Sequence, residues 1–321
     1  KSFIFASEIK AILNFPNIER QLNEKALYHY LTFAVSPVPD TMFENIKKLG
    51  PGETITLKYN GNLKRSKYWE PLITQSDSKF LSENEILTEL KRLLRESTKM
   101  RMMSEVPIGA FLSGGVDSSL NVALMSEIMD KSVDTFSVAI DNDQKSNELL
   151  YARKVSKFFH TNHNEMTISN KDFIEFLPEM VKIQDEPIAD PVCVPLYFVS
   201  KLARESGTYV IQVGEGVDEL FCGYSLYSTL ENFNRRYYEP FSKFPLMIKK
   251  ILGGIGKIFS TEKKNRYFNW AIKNQELFWG GVNIFSEKQK AQILNKSYNY
   301  DSYLDFVKPT YNSLYNKNSN Y

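Results

Sequence analysis

Between Glu83 and Tyr227 the apolar positions switch repeatedly between a helical period and short unbroken runs. Leu87, Leu90, Leu93 and Leu94 fall on one helical face, and the stretch to Met102 is free of Gly and Pro, which predicts a long helix. Val106 to Leu112 reads as a short apolar strand and Leu120 to Ile128 as a helix. Thr135 to Ile140 predicts a second strand, the segment around Leu149, Leu150, Val155, Phe158 and Phe159 a helix, and Glu165 to Ile168 a weaker strand. Pro195 to Leu202 is helical in pattern. Thr208 to Val213 is another apolar strand, running into a Gly-flanked acidic turn. Such alternation predicts an α/β fold, a parallel sheet with helices on both faces.

The flanks differ. Up to about Ser78 the elements are short. Asn23 is placed to cap a helix through Leu31, which Pro37-Val38-Pro39-Asp40 breaks, and Glu53 to Leu57 alternates like a strand. Asn60-Gly61 predicts a hairpin turn in which both central residues take positive φ. Ser76-Asp77-Ser78 is a polar linker. Beyond about Glu231 the chain is rich in aromatic, Lys and Asn residues and is helical where it is periodic; from Tyr298 on it is expected to fray unless something docks there.

Length and composition limit the function classes. The 321 residues, 42% hydrophobic and 24% charged, suit a soluble globular chain of two domains or one large one. A formal net charge of +2 offers no reason to expect nucleic acid, and the lysine pairs Lys47-Lys48, Lys249-Lys250 and Lys263-Lys264 read as solvated surface. The two cysteines, Cys193 and Cys222, form no CxxC pair and no disulfide framework, which suits a reducing cytoplasm. Neither an apolar run of transmembrane length nor a signal peptide is found, so no membrane partner is expected.

The strongest chemical signal is Ser113-Gly114-Gly115-Val116-Asp117-Ser118-Ser119, directly after an apolar strand and directly before a helix. There the glycines permit a tight turn with outward N–H groups, the helix start adds partial positive charge, and three serines add hydroxyl donors: a nest for phosphate. No Lys follows the glycines, so this is not the GxxxxGK[ST] loop. Asp117 is an acid where an anion should bind, which makes sense if Mg2+ bridges its carboxylate and a pyrophosphate. The plainer alternative is a strand-to-helix turn with Asp117 or Ser113 merely capping the helix. The run resembles the pyrophosphate loop of the N-type ATP pyrophosphatases, a superfamily with several chemistries.

Val213-Gly214-Glu215-Gly216-Val217-Asp218-Glu219-Leu220-Phe221-Cys222-Gly223-Tyr224 follows a second apolar strand. Its glycines allow a sharp turn that presents Glu215 at a strand's carboxyl end, where open α/β sheets bind ligands; the alternative is acids favoured in a helix's first turn. This run is similar to the SGEGADELFGGY signature of glutamine-hydrolysing asparagine synthetases. Arg101 to Leu112 resembles that family's lead-in to its loop, Asp185-Glu186-Pro187-Ile188-Ala189-Asp190-Pro191 its DEPFADP segment, and Phe3 to Leu13 the strand and helix near the end of its glutaminase domain. The likeness runs to about Leu294.

The resemblance implies the following. Residues 1–78 would be the C-terminal remnant of an Ntn-type glutaminase domain, its last strands left with unpaired edges, and 79–321 an ATP-pyrophosphatase domain cut short at its end. Ser113, Gly114, Gly115, Asp117, Ser118 and Ser119 would hold pyrophosphate and its Mg2+, Leu112 and Val138 would frame the adenosine, and Val213 and Gly214 would lie on its other side. Glu215 would be needed to form an acyl-adenylate, with Asp218 assisting substrate or metal. ATP, aspartate and ammonia from glutamine would be the partners, and a homodimer is compatible with the family. Lys1 is not the family's N-terminal Cys nucleophile, and the later lysine associated with adenylation is not found before Tyr321, so the chain reads as a fragment at both ends, impaired as it stands. The family usually has Leu at Gln212, Ser at Val213 and Gly at Cys222. Those departures keep open another carboxylate acceptor (a sugar acid or lactam precursor) or a non-catalytic nucleotide-binding fragment. Cys193 and Cys222 read as packing residues, and His29, His160 and His163 as structural.

Overall fold

The computed structural model describes residues 2–70, 81–141, 148–259, 268–272, 284–294, 300, 302 and 306–309. Backbone contacts divide the chain into two units, Lys1–Val213 with Val282–Tyr321, and Gly214–Gly281.

The first unit opens with α1 (Ile9–Leu13) and α2 (Glu24–Phe33). Asn23 caps α2 as expected, its side chain accepting from the Ala26 amide at 3.1 Å. The helix runs past Leu31 and ends at Ala34, whose φ of 64° closes the last turn before the prolines are reached. β1 (Glu53–Leu57) and β2 (Leu63–Lys67) form an antiparallel ribbon in the register Glu53↔Lys67 to Leu57↔Leu63. Neither strand has a further sheet partner among the described residues. The turn is at the expected place but not of the expected kind. Gly61 has φ 84° and Asn60 is not at positive φ, while Lys58 exchanges bonds with Gly61 and Asn62, an ordinary turn completed by a left-handed glycine. Residues 2–6 form no strand, because no neighbour supplies a ladder among the described residues.

α3 (Glu83–Arg101) starts at a reciprocal capping box, Ser82 with Glu85. Four parallel strands follow: β3 (Ile108–Phe111), β4 (Asp134–Ile140), β5 (Asn162–Ile168) and β6 (Val210–Gln212), in the spatial order β5-β4-β3-β6. Between them lie α4 (Val116–Ile128), α5 (Glu148–Phe159), α6 (Asn170–Ile183) and α7 (Cys193–Glu205). Alternate strand residues serve opposite faces. Ile108, Ala110 and Leu112 pack with Val122, Met125 and Ala152 of α4 and α5, while Phe136 packs with Val199 and Ala203 of α7. Ile168, Phe176 and Val194 extend the second face over α6. Full burial of side chains such as Leu112 and Phe136 contributes about 1.5–3 kcal/mol each. The helix-covered parallel sheet is therefore as the periodicity predicts. Gly109 is required inside β3, where a Cβ would stand 2.5 Å from the Asp134 carbonyl oxygen of the neighbouring strand.

Two expectations need correction. The lysine pairs are not simply solvated: Lys47 meets Asp40 and Lys48 meets Glu186, both at 2.6 Å, and Lys249 is 4% exposed; Lys263-Lys264 lie outside the described residues. Leu87 and Leu93 keep about half their surface exposed despite the helical period of α3.

The second unit is helical: α8 (Val217–Phe221), α9 (Ser225–Phe233), a π-helical turn (Asn234–Tyr238), α10 (Glu239–Ser242) and α11 (Leu246–Phe259). Lys249 ties it internally, its Nζ donating to the Ser242 and Ala271 carbonyls at 3.1 and 3.2 Å. α12 (Glu287–Ile293) belongs to the first unit, where the Ile284 and Phe285 amides bond to the end of α2. No helix of the described residues is long and apolar enough to cross a membrane. Most of the segment expected to fray, from Tyr298 on, lies outside the described residues.

Candidate nucleotide site

Chain order and spatial order diverge at β3. β4 and β5 are laid down on one side of it, and the chain then returns to place β6 on the other. In open parallel sheets the crevice at such a reversal, outside the carboxyl ends of the strands, is where ligands bind. The two Gly-rich motifs follow β3 and β6, the two strands that meet at the reversal.

The first loop is built from its neighbours. The Leu112 amide donates to the Phe136 carbonyl at 2.9 Å, and the buried Ser137 hydroxyl donates to the Leu112 carbonyl, so the strand end is pinned before the turn. Gly114 takes φ 83° and lies against α5, where a Cβ would approach the Ala152 nitrogen and Tyr151 Cβ to 2.6 Å. No residue with a side chain fits there. Ser113 Oγ accepts from the Gly115 amide at 3.3 Å and stands 2.9 Å from Ser118 Oγ, which also bonds the Gly115 carbonyl at 3.2 Å. The N-cap of α4 is Gly115, with no side-chain cap. Ser113 and Asp117 therefore do not serve as caps, and the first-turn amides of a 13-residue helix face the loop. Asp117 and Ser119 are partly buried in that first turn.

The remaining predicted positions are placed as follows. Leu112 is fully buried toward α4 and α5, so its side chain is not open to a ligand. Val138 packs on the opposite face, toward α6 and α7, two residues beyond the last β3–β4 pair. Val213 is exposed just past β6. Gly214, Glu215 and Asp218 belong to the second unit. There Gly216 opens α8 with φ 82°, Glu215 is exposed, and Asp218 folds over the following turn: a Cβ on Gly223 would stand 2.0 Å from Asp218 Oδ1. Glu219 accepts from the Tyr224 hydroxyl at 3.1 Å. Cys222 is exposed and left-handed, with φ 57°, and so is not the packing residue expected.

Sequence reasoning passed over several positions. Asn121, buried in α4, donates to the main-chain carbonyl of Gln212, and its signal was a polar residue inside an apolar helical run. Ser137 left a similar trace within β4. His29 is fully enclosed and His163 contacts Thr135 at 3.0 Å, which fits their structural reading; burial holds both below the ordinary imidazole range. Among the described residues no group of three or more His, Cys, Asp or Glu could hold a metal alone. Asp117, in the first turn of α4, is one carboxylate of the kind that suits a cation completed by substrate phosphate oxygens, the usual mode for Mg2+.

A Gly-rich strand-to-helix turn at the reversal of a parallel sheet is the ligand-binding arrangement of an open α/β domain. Residues 89–300 match the family model described as asparagine synthase, and residues 1–69 match a glutamine amidotransferase domain. The chain belongs to the asparagine synthase family. It is 31% identical over 311 residues to asparagine synthetase [glutamine-hydrolyzing] 1 of Bacillus subtilis, a match covering 95% of this chain and 46% of that protein. A Methanocaldococcus jannaschii relative, provisionally named a glutamine-hydrolyzing asparagine synthetase, is 32% identical over 287 residues, 86% of this chain and 54% of its own. The chain thus spans about half the length of the curated relatives it matches. Among solved structures, NMN synthetase from Francisella tularensis overlaps with a TM-score of 0.30 at 17% identity, covering 46% of this chain and 60% of that one.

Proposed function

We propose that the protein amidates aspartate to asparagine through a β-aspartyl-AMP intermediate, with ammonia derived from glutamine. The observation that carries this reading is the sheet order, which sets the SGGVDSS loop and the start of the VGEGVDE segment after adjacent strands, in a chain of the asparagine synthase family. In the first step the aspartate β-carboxylate attacks the α-phosphorus of ATP and pyrophosphate leaves. In the second, ammonia attacks the acyl carbon and AMP leaves.

Charge develops on the departing pyrophosphate. The first-turn amides of α4 and the hydroxyls of Ser113, Ser118 and Ser119 would stabilise it, and loss of a single well-placed donor of this kind costs about 3 kcal/mol. Gly114 and Gly115 keep that surface clear of side chains. Asp117 and Asp218 would hold Mg2+, which when bound neutralises phosphate charge. The Leu112 and Gly214 backbone, with Val138 and Val213, would frame the adenosine, and Glu215 would act on the carboxylate being adenylated.

Aspartate-dependent ATP–pyrophosphate exchange tests the reading. Asp117→Ala is expected to abolish exchange, and exchange near the wild-type rate would reject Asp117 as the metal bridge. A second acceptor class is favoured by one feature, the exposed Val213 where the family usually has Ser. Pyrophosphate release with sugar acids or lactam precursors but not aspartate would establish it. Nucleotide binding without AMP production from any carboxylate would leave only the non-catalytic reading.

A further inference from the structure

The Asp185-Glu186 pair does something that no nucleotide chemistry requires. It lies between the end of α6 at Ile183 and the start of α7 at Cys193, two helices fixed to the sheet through Phe176, Val194 and Ile168. Both carboxylates bond into the first 69 residues. Asp185 accepts from the Ile9 amide at 2.5 Å and the Lys10 amide at 3.2 Å, and Lys10 Nζ donates to the Ile183 carbonyl at 2.6 Å. α1 has no side-chain cap of its own, so Asp185 caps it from about 175 positions away in the chain. Glu186 Oε1 accepts from Ser36 Oγ and from the Met42 amide, both at 2.6 Å, and its Oε2 pairs with Lys48 at 2.6 Å. Lys48 also donates to the Ser36 carbonyl at 2.9 Å, and the Ala189 amide bonds the Ala34 carbonyl at 2.9 Å.

These are not loose surface pairs. The Glu186 side chain retains 11% of its exposure, Ser36 and Met42 are buried, and every bond except the one between Lys48 and Ser36 joins the glutamine-amidotransferase-like segment to the synthase-like segment. A carboxylate held by one hydroxyl, one amide and one ammonium is fixed in direction as well as position. Such a joint sets the geometry between the two segments, and that geometry matters if ammonia released on one side must reach an acyl carbon on the other before escaping to solvent.

We propose that Asp185 and Glu186 are positioning residues, a carboxylate latch that fixes residues 1–69 on the nucleotide-binding sheet and so keeps nitrogen delivery coupled to amidation. The coupling half of this proposal rests on the amidation reading above; the latch half does not.

The test uses the full-length protein with Asp185→Ala, Glu186→Gln and, from the opposite side of the joint, Lys48→Met, in case the first two fail to fold. Hydrogen exchange at the amides of Ile9, Lys10 and Met42 reports the latch, and their protection is expected to fall about tenfold or more in the variants. Amide formation from added ammonium is expected to stay within about twofold of wild type, while amide formed per glutamate released from glutamine falls about tenfold. Unchanged protection overturns the latch. An equal loss with both nitrogen sources overturns the coupling. If the wild type forms no AMP from any carboxylate, the amidation reading fails and takes the coupling with it, and exchange at the three amides still decides the latch.

Discussion

Asn121 Nδ2, on α4, donates to the main-chain oxygen of Gln212, at the end of β6, across 3.4 Å. The helix that begins at the phosphate-type loop is thereby tied directly to the strand that begins the acidic turn. Asn121→Leu would leave that carbonyl without its side-chain donor and is expected to destabilise by about 1–2 kcal/mol. Gln212→Leu should act in the opposite direction. The Gln212 side-chain oxygen is buried without a hydrogen-bond partner among the described residues, so an apolar replacement of similar size should stabilise by about 1 kcal/mol. Urea unfolding midpoints read both. Two changes of the same sign would refute the distinction between the backbone and side-chain acceptors of one residue.

Gly114 and Gly61 share a backbone conformation, φ 83° and 84°, but not an environment. Nothing among the described residues stands within 4 Å of a Cβ on Gly61, whereas one on Gly114 collides with the α5 backbone. Gly61→Ala should therefore cost only the left-handed strain, about 1 kcal/mol. Gly114→Ala adds overpacking and should cost roughly 2–4 kcal/mol while also weakening ATP binding. Equal losses in denaturant titration would show that the α5 contact does not matter.

Much of this was legible beforehand for identifiable reasons. β3, β4 and β6 are apolar runs because parallel strands are buried on both faces, and the loops after β3 and β6 declared themselves through glycine. α6 escaped because Pro178 interrupts its pattern, although the Ser169–Asp172 capping box at its start was readable. Asn60-Gly61 located a turn but not its geometry, since residue preferences fix where a chain reverses more firmly than which dihedrals it adopts. The roles of Lys48 and Glu186 were hidden for a different reason. Their partners lie far away in the chain, and no local period encodes a contact of that kind. The sheet order was likewise beyond the pattern, as nothing in the β6 run says that it returns to β3.

Cys222 stands in the left-handed region, with φ 57°, at the end of α8, where its family relatives usually carry glycine. A Cβ there costs about 1–2 kcal/mol, partly offset by the greater unfolded-state entropy of glycine. Cys222→Gly should accordingly stabilise the second unit by about 0.5 kcal/mol, whereas Cys222→Ala, which keeps the Cβ, should not. Thermal unfolding followed by near-ultraviolet signals can separate the two variants. A gain with alanine equal to that with glycine would shift the explanation from backbone strain to the thiol.

His29 sets a pH limit on stability. Its ring is fully buried on α2 beside Phe33 and Phe306, with centroids at 6.2 and 4.9 Å, and neither nitrogen has a hydrogen-bond partner among the described residues. Burial, then the ammonium groups of Lys290 and Lys25, lower its pKa from 6.5, against a smaller upward pull from Glu287 and Asp40. Below 6.5 the unfolded chain therefore takes up a proton that the folded chain refuses, and stability falls as pH drops from neutrality through that value. One such group gives a slope of at most about 1.4 kcal/mol per pH unit. His163, lowered mainly by burial as well, adds a slope of the same sign. His29→Leu should thus flatten the profile of denaturation midpoints between neutrality and mild acid without removing it entirely, the remainder belonging to His163. A wild-type midpoint that stays constant or rises over that range would mean that the buried ring accepts its proton in the folded state, and the α2 packing described above would be wrong.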